Sequence, residues 1–210
     1  MSVVTTVRGE EELFARTAHL FATASEITCA ARDLNTWAAT KRAPDSLVQV
    51  TEPKMRKLYQ SGMLLHPPTA QHVHTAAAHG AQVRVTQDDI NETVIIDRRF
   101  AILAGDLSEG RRSYGVVTEA AVVQNIQSLF DAAWRSATEL AVYRAQHADL
   151  TTLAPQVMEL LASGCKDESA ARTLGLGVRT YRRRVAELMT ALGAESRFQA
   201  GVRARELGLI

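Results

Sequence analysis

Residues 165–192 read C-K-D-E-S-A-A-R-T-L-G-L-G-V-R-T-Y-R-R-R-V-A-E-L-M-T-A-L, from Cys165 to Leu192. The spacing predicts a helix, a glycine-marked turn and a second helix. Glu168 to Leu174 carries Ala170, Ala171 and Leu174 at helical intervals. Gly175 supplies a residue that takes positive φ just past a helix end, and Gly177 can serve as the next N-cap. In the second helix Tyr181, Val185, Leu188 and Leu192 form one apolar stripe. Arg179, Arg183, Ala186 and Thr190 then point away from it, with Arg182 and Arg184 on its two flanks. A scaffold helix, a tight turn and a helix with an outward basic face is the arrangement that enters a DNA major groove. Helix-glycine-helix corners are also common in all-α proteins, and arginine runs often only solvate a face. The spacing alone does not separate these readings.

The flanks separate them. Leu150-Thr151, the run Val157 to Gly164, Ala171, Leu174-Gly175-Leu176, Arg179-Thr180 and Val185 fall in a familiar order. Leu192-Gly193, Ser196-Arg197, Gln199-Ala200 and Glu206-Leu207-Gly208-Leu209 continue it. On these residues the segment from Leu150 to Ile210 resembles the LuxR-type (GerE-like) helix-turn-helix domain. It departs from that pattern at Leu153, Ala154 and Gln156, where charged residues are usual. It departs again at Gly177 in place of an N-cap serine and at Arg184 in place of a histidine. The resemblance implies a four-helix, double-stranded-DNA-binding domain with Arg179, Thr180, Arg182, Arg183, Arg184 and Ala186 at the DNA. Arg182 and Arg183 would reach the major groove, and Arg179 and Thr180 the phosphate backbone.

Charge is distributed to match. Residues 151–210 carry a net +3 and residues 1–150 a net −2, so the C-terminal piece suits a polyanion. The chain's 46% hydrophobic and 22% charged content are ordinary for a soluble globular protein. No apolar run reaches the eighteen residues or so that span a bilayer. The first twelve residues lack the basic and apolar regions of a signal peptide, so the expected compartment is the cytoplasm. Cys29 and Cys165 fall in different expected domains and read as buried thiols.

Upstream, helical and strand patterns alternate. Helices are expected over Glu10–Ala24, from Asp33 through Trp37, and from His66 to Ala78; Lys41–Ser46 reads as a loop. Strands are expected at Glu26–Ala31, Met55–Tyr59, Gln82–Thr86, Thr93–Ile96, Phe100–Ala104 and Tyr114–Thr118, with a polar loop at Asp106–Arg112. A long alanine-rich helix should run from Glu119 to about Gln146, with Val122, Ile126, Leu129, Phe130, Trp134, Ala137 and Leu140 on its apolar side. The pattern predicts an α/β N-terminal domain with a mixed sheet of five or six strands over residues 1–148, followed by the all-α domain over 149–210.

The runs V-I-I-D-R-R-F-A-I-L-A-G, S-Y-G-V-V-T-E-A and S-L-F-D-A-A-W, between Val94 and Trp134, give the N-terminal part a second resemblance, to a phospholipase-D-like domain. That fold also serves as a non-catalytic effector or dimerisation module in some regulators. Its active members carry H-x-K-x4-D. Counted back from Asp97, Glu92 stands at the lysine position and Ile90 at the histidine position. A carboxylate repels a phosphate and isoleucine offers no nucleophile, so no catalytic residue is expected.

Other clusters carry less. His66, His72, His74 and His79 lack the companions a metal site needs, so no metal or cofactor is expected. Asp88-Asp89 reads as a turn, and Cys29-Ala30-Ala31-Arg32 supplies no phosphoreceiver acidic pair. Trp37, Tyr59 and Trp134 could line an effector pocket, but such residues are more often simple core. The chain as a whole reads as a transcriptional regulator. Its expected partners are double-stranded DNA, a second copy in a homodimer built by the N-terminal domain and helix 119–146, and a small-molecule effector or RNA polymerase. The alternatives are a DNA-targeted phosphodiesterase or nuclease of the phospholipase D type and an architectural protein whose N-terminal domain binds another protein.

Overall fold

A computed structural model describes residues 4–31, 53–108 and 110–210. The helix expected from Asp33 through Trp37 and the loop at Lys41–Ser46 lie outside these residues. The chain packs into two compact units. One comprises residues 1–59, 77–84 and 90–137; the other comprises 60–76, 85–89 and 138–210.

The first unit is built on strands β1 (Val4–Arg8), β2 (Glu26–Ala31), β3 (Lys54–Gln60), β4 (Gln82–Thr86), β5 (Thr93–Ile96), β6 (Phe100–Ser108) and β7 (Arg111–Val117). They run in the order β1-β7-β6-β5-β2-β3-β4. β2 and β3 are parallel and the β2-β5-β6-β7-β1 pairings antiparallel, so the expected mixed sheet is present. A short β8 (Thr138–Glu139) follows β4 in that order and belongs to the second unit, as do Val85 and Thr86 of β4. Eight strands among the described residues exceed the expected five or six.

Helix α1 (Glu10–Ala22) opens with Glu10, Glu11 and Glu12, carboxylates that favour a helix N-terminus. Helix α3 (Ala120–Ser136) packs Val123 and Phe130 onto Ala30, Leu58, Ile95, Ala101 and Val117 of the sheet. Arg56 fixes it there, donating to Asp131 at 2.9 Å while lying over the Phe130 and Trp134 rings. Trp134 is therefore part of the packing.

The helix expected over 119–146 is two helices. Ala137 turns extended (ψ 149°) and Thr138-Glu139 form β8, before α4 (Leu140–Ala162) begins. The alanine-rich composition favours helix on both sides of this break and hides it. The apolar positions belong to different cores: Val123 and Phe130 to the first unit, Leu140 and Tyr143 to the second. Leu129, expected on the apolar side, is 73% exposed. The polar loop expected at Asp106–Arg112 is instead the tight end of the β6–β7 hairpin, because backbone pairing runs out to Ser108↔Arg111.

The β5–β6 turn shows why Asp97 stands where it does. Asp97 and Arg98 take φ of 49° and 56°, a region costly for non-glycine residues but least so for aspartate and asparagine. The Asp97 carboxylate accepts from the amides of Ser25 and Glu26, both at 2.8 Å, and so ties the turn to the start of β2. Asp97→Ala should cost about 2–3 kcal/mol, since it strips two charge-assisted bonds from a strained turn. A denaturant titration of the full chain checks this; a loss near zero would leave the carboxylate without a structural role.

Candidate nucleic-acid interface

The second unit holds α2 (Pro67–Ala78) up to Ala76, with α4, α5 (Asp167–Thr173), α6 (Val178–Ala191) and α7 (Arg197–Glu206). The position expected to divide two domains, 148–149, lies inside α4. It sits just past His147, whose φ and ψ (−121°, 18°) interrupt the helical geometry.

α5 and α6 are joined by the glycine turn. Gly175 has φ 65°; its amide donates to the Arg172 carbonyl and the next amide, of Leu176, reaches the Ala171 carbonyl at 2.8 Å. That pair of bonds closes α5 and reverses the chain within a few residues, and it needs the left-handed conformation glycine adopts without strain. Gly177 then precedes α6 with no side chain to cap it, so the amides of the first turn keep their donor capacity toward an outside acceptor.

One side of α6 is fully committed. Tyr181, Val185, Leu188, Ala191 and Leu192 are buried with Leu150, Ala154, Val157, Met158, Ala170, Ala171, Ala200 and Ala204. With that stripe inside, Arg179, Arg183, Ala186 and Thr190 are exposed. Thr180 is half-buried at the helix start.

The four arginines differ in how much of their charge is already engaged. Arg179 makes no ion pair among the described residues. Arg183 is 63% exposed and only grazes Glu187, at 3.7 Å. Arg184 is 14% exposed: it pairs with Asp149 of α4 and donates to Glu187 at 2.8 Å. The structure thus places Arg184, an expected DNA-contacting residue, as a brace between α6 and α4. Because Arg184 claims Glu187, the neighbouring Arg183 is held less firmly. Arg182 is outward but donates to Asp167 at 2.8 Å and approaches Glu168 at 3.5 Å.

Asp167 is the hub that the sequence reading missed. Lying in the first turn of α5, it takes Arg182 from α6 and Arg197 from α7, the latter at 2.9 Å. Those two guanidiniums, Arg197 first, hold its carboxyl below the usual carboxylate range. Its signal in the sequence was slight, an acidic residue at a helix start.

In the first unit, Glu92 is buried and pairs with Arg112 at 3.4 Å, while Ile90 packs against the apolar cluster under α3. The histidines are dispersed: His66 meets Thr69 and His74 meets Arg144. Among the described residues no group of three or more His, Cys, Asp or Glu could hold a metal ion. Cys29 and Cys165 are free thiols, the first buried and pushed up in pKa by that burial, the second half-buried. No described helix is long and apolar enough to cross a membrane.

No protein-family model matches the chain. It is 30% identical over 157 residues to the bialaphos biosynthetic pathway regulatory protein of Streptomyces hygroscopicus, covering 74% of this chain and 61% of that protein. The chain thus spans about three fifths of its relative's length. Among solved structures, NucT from Helicobacter pylori superposes with a TM-score of 0.50 at 8% identity, over 65% of this chain and 99% of that one. That is a likeness of fold. TrmBL2, an archaeal chromatin protein, gives 0.46 at 18% identity over 67% of this chain and 55% of its own. Nuc of Salmonella typhimurium, a phospholipase D family member, gives 0.46 at 12% over 65% and 97%.

Asp167→Asn should weaken the second unit by on the order of 1 kcal/mol near neutral pH, the half-exposed arginines being screened by solvent. A carboxyl whose folded pKa is depressed stabilises above its unfolded value, near ~3.9, and loses this as pH falls through the folded value. The gap between the wild type and the variant in unfolding midpoint should therefore be full at pH 7 and close below about pH 4. A pH-independent gap would assign the loss to packing instead.

Proposed function

We propose that this chain is a sequence-specific regulator of transcription that binds double-stranded DNA through the outward face of α6, as a LuxR-type helix-turn-helix. The observation that carries the reading is the pairing of a fully buried stripe with an exposed face holding two lightly engaged arginines, Arg179 and Arg183, beside an uncapped helix start. A helix so anchored presents cations and backbone donors outward at fixed spacing, which is what phosphate positioning and base readout require. A relative that is itself a regulatory protein supports the same reading.

Roles divide by engagement. Arg183 reads a base edge, with Ala186 one turn on leaving room for the groove floor. Arg179, Thr180 and the first-turn amides hold phosphate. Arg182 reaches the groove by exchanging Asp167 for DNA, and Arg184 keeps α6 in place. The first unit is non-catalytic and serves dimerisation, effector sensing or both. The phosphodiesterase alternative is disfavoured by Glu92, a buried carboxylate already paired with Arg112 where a phosphate would have to sit.

Fluorescence anisotropy with a selected site and with random duplex tests these roles. Arg183→Ala should lose about 1–3 kcal/mol on the selected site and much less on random DNA. Arg179→Ala should weaken both alike and lower the slope of log affinity against log salt by about one. Equal losses on both DNAs for Arg183→Ala would make it a phosphate contact.

A further inference from the structure

The second unit contains a segment drawn from far up the sequence. Ser61–Leu65, which follows β3, forms a 3-10 turn whose five residues are all buried. Leu65 belongs to the same apolar core as Tyr181, Leu188 and Leu192. Two finer contacts seat the segment on the C-terminal end of α6.

The first is polar. At a helix end the last carbonyls lack intrahelical donors. The amides of Gly193 and Ala194 satisfy Thr190 and Met189, and the amide of Leu192 satisfies Leu188. The Ala191 carbonyl is met by the Ser61 hydroxyl, which donates to it at 2.6 Å. The second contact is steric. A Cβ on Gly62 would lie 3.0 Å from Leu207 Cδ1, 3.3 Å from the Ala191 carbonyl oxygen and 3.4 Å from Leu192 Cδ2. A Cβ would crowd the Leu207 side chain and the end of α6 by a few tenths of an ångström, and a branched side chain would crowd them further.

We propose that Ser61–Leu65 is a positioning element for α6, so that DNA recognition depends on a segment whose Ser61 lies 130 residues before the last residue of the helix that reads the DNA. This rests on the DNA-binding reading above. The segment packs on α4 and meets α6 at the end far from Arg179, at Ala191 and Leu192. Holding that last turn in place sets the direction in which Arg179 and Arg183 are presented. Apparent affinity scales with the fraction of molecules in the competent arrangement, so loosening the seat weakens binding without altering the contacts themselves.

The test uses the full chain and two readouts, amide hydrogen exchange and DNA affinity. Ser61→Ala removes one hydroxyl and should speed exchange at Leu192–Ala194 by about fivefold, the effect of one lost neutral hydrogen bond. Ser61→Thr, which keeps the hydroxyl, should restore the wild-type rate. Amides of β2 and β5 should stay unchanged, which a general loss of stability would not allow. On DNA, Gly62→Val should lose affinity for the selected site severalfold, whereas Ser61→Ala, a fivefold rise in a rare opening, should lose little. Unchanged exchange at Leu192–Ala194 in Ser61→Ala would overturn the seat. Faster exchange in Gly62→Val with undiminished affinity would overturn its role in recognition. If Gly62→Val unfolds the chain, Gly62→Ala takes its place. A wild-type chain that binds no DNA would refute the DNA-binding reading, and the exchange rates would separately show whether the seat exists.

Discussion

Burial of Tyr181, Val185, Leu188 and Leu192 along one side of α6 is the constraint from which the candidate site follows. These side chains are large and close to fully enclosed, and removing such apolar surface from water contributes roughly 1.5–3 kcal/mol each. Rotating α6 by even one residue, about 100°, would expose part of that stripe and bury an arginine. The rotation is therefore locked, and with it the outward direction of Arg179 and Arg183. The glycine turn before α6 and the Asp167 hub across α5, α6 and α7 serve the same end, since they fix the helix along its length.

Electrostatics then sorts side chains of the same type. Three consecutive arginines, Arg182 to Arg184, look alike in sequence, yet each meets a different set of carboxylates. Arg184 is nearly enclosed and held by two of them, and an exposed pair would be worth far less. Arg182 is outward but occupied, so reaching DNA requires trading one partner for another of the same charge. Arg183 has the weakest hold. The surface offered to a polyanion is thus narrower than the arginine run implies, and its charge is concentrated where α6 begins and along its outer face.

The periodic features were legible in the sequence because they are local. The α6 stripe, the Gly175 turn and the strands β2, β4 and β5 follow from spacing that a short window reveals. What escaped were contacts between residues distant in sequence. Arg184 lies on the flank of the wheel, where exposure depends on what packs beside it, and its partner Asp149 is 35 residues away. Ser61–Leu65 carries no signal of its own beyond being apolar, and its partner is 130 residues away. The break at Ala137–Glu139 was hidden by alanine-rich sequence on both sides, which favours helix regardless of which core each half serves. The shape of the β5–β6 turn was legible, whereas the carboxylate of Asp97 reaching Ser25 and Glu26 was not.

The central claim, that α6 reads double-stranded DNA sequence, is tested most directly by selection from a random duplex pool with the full chain. The account predicts enrichment of one short motif, repeated with two-fold symmetry at half-sites about one helical turn apart if the chain acts as a dimer. Recovery of pools no different from the starting library, at salt where non-specific binding is suppressed, would contradict it.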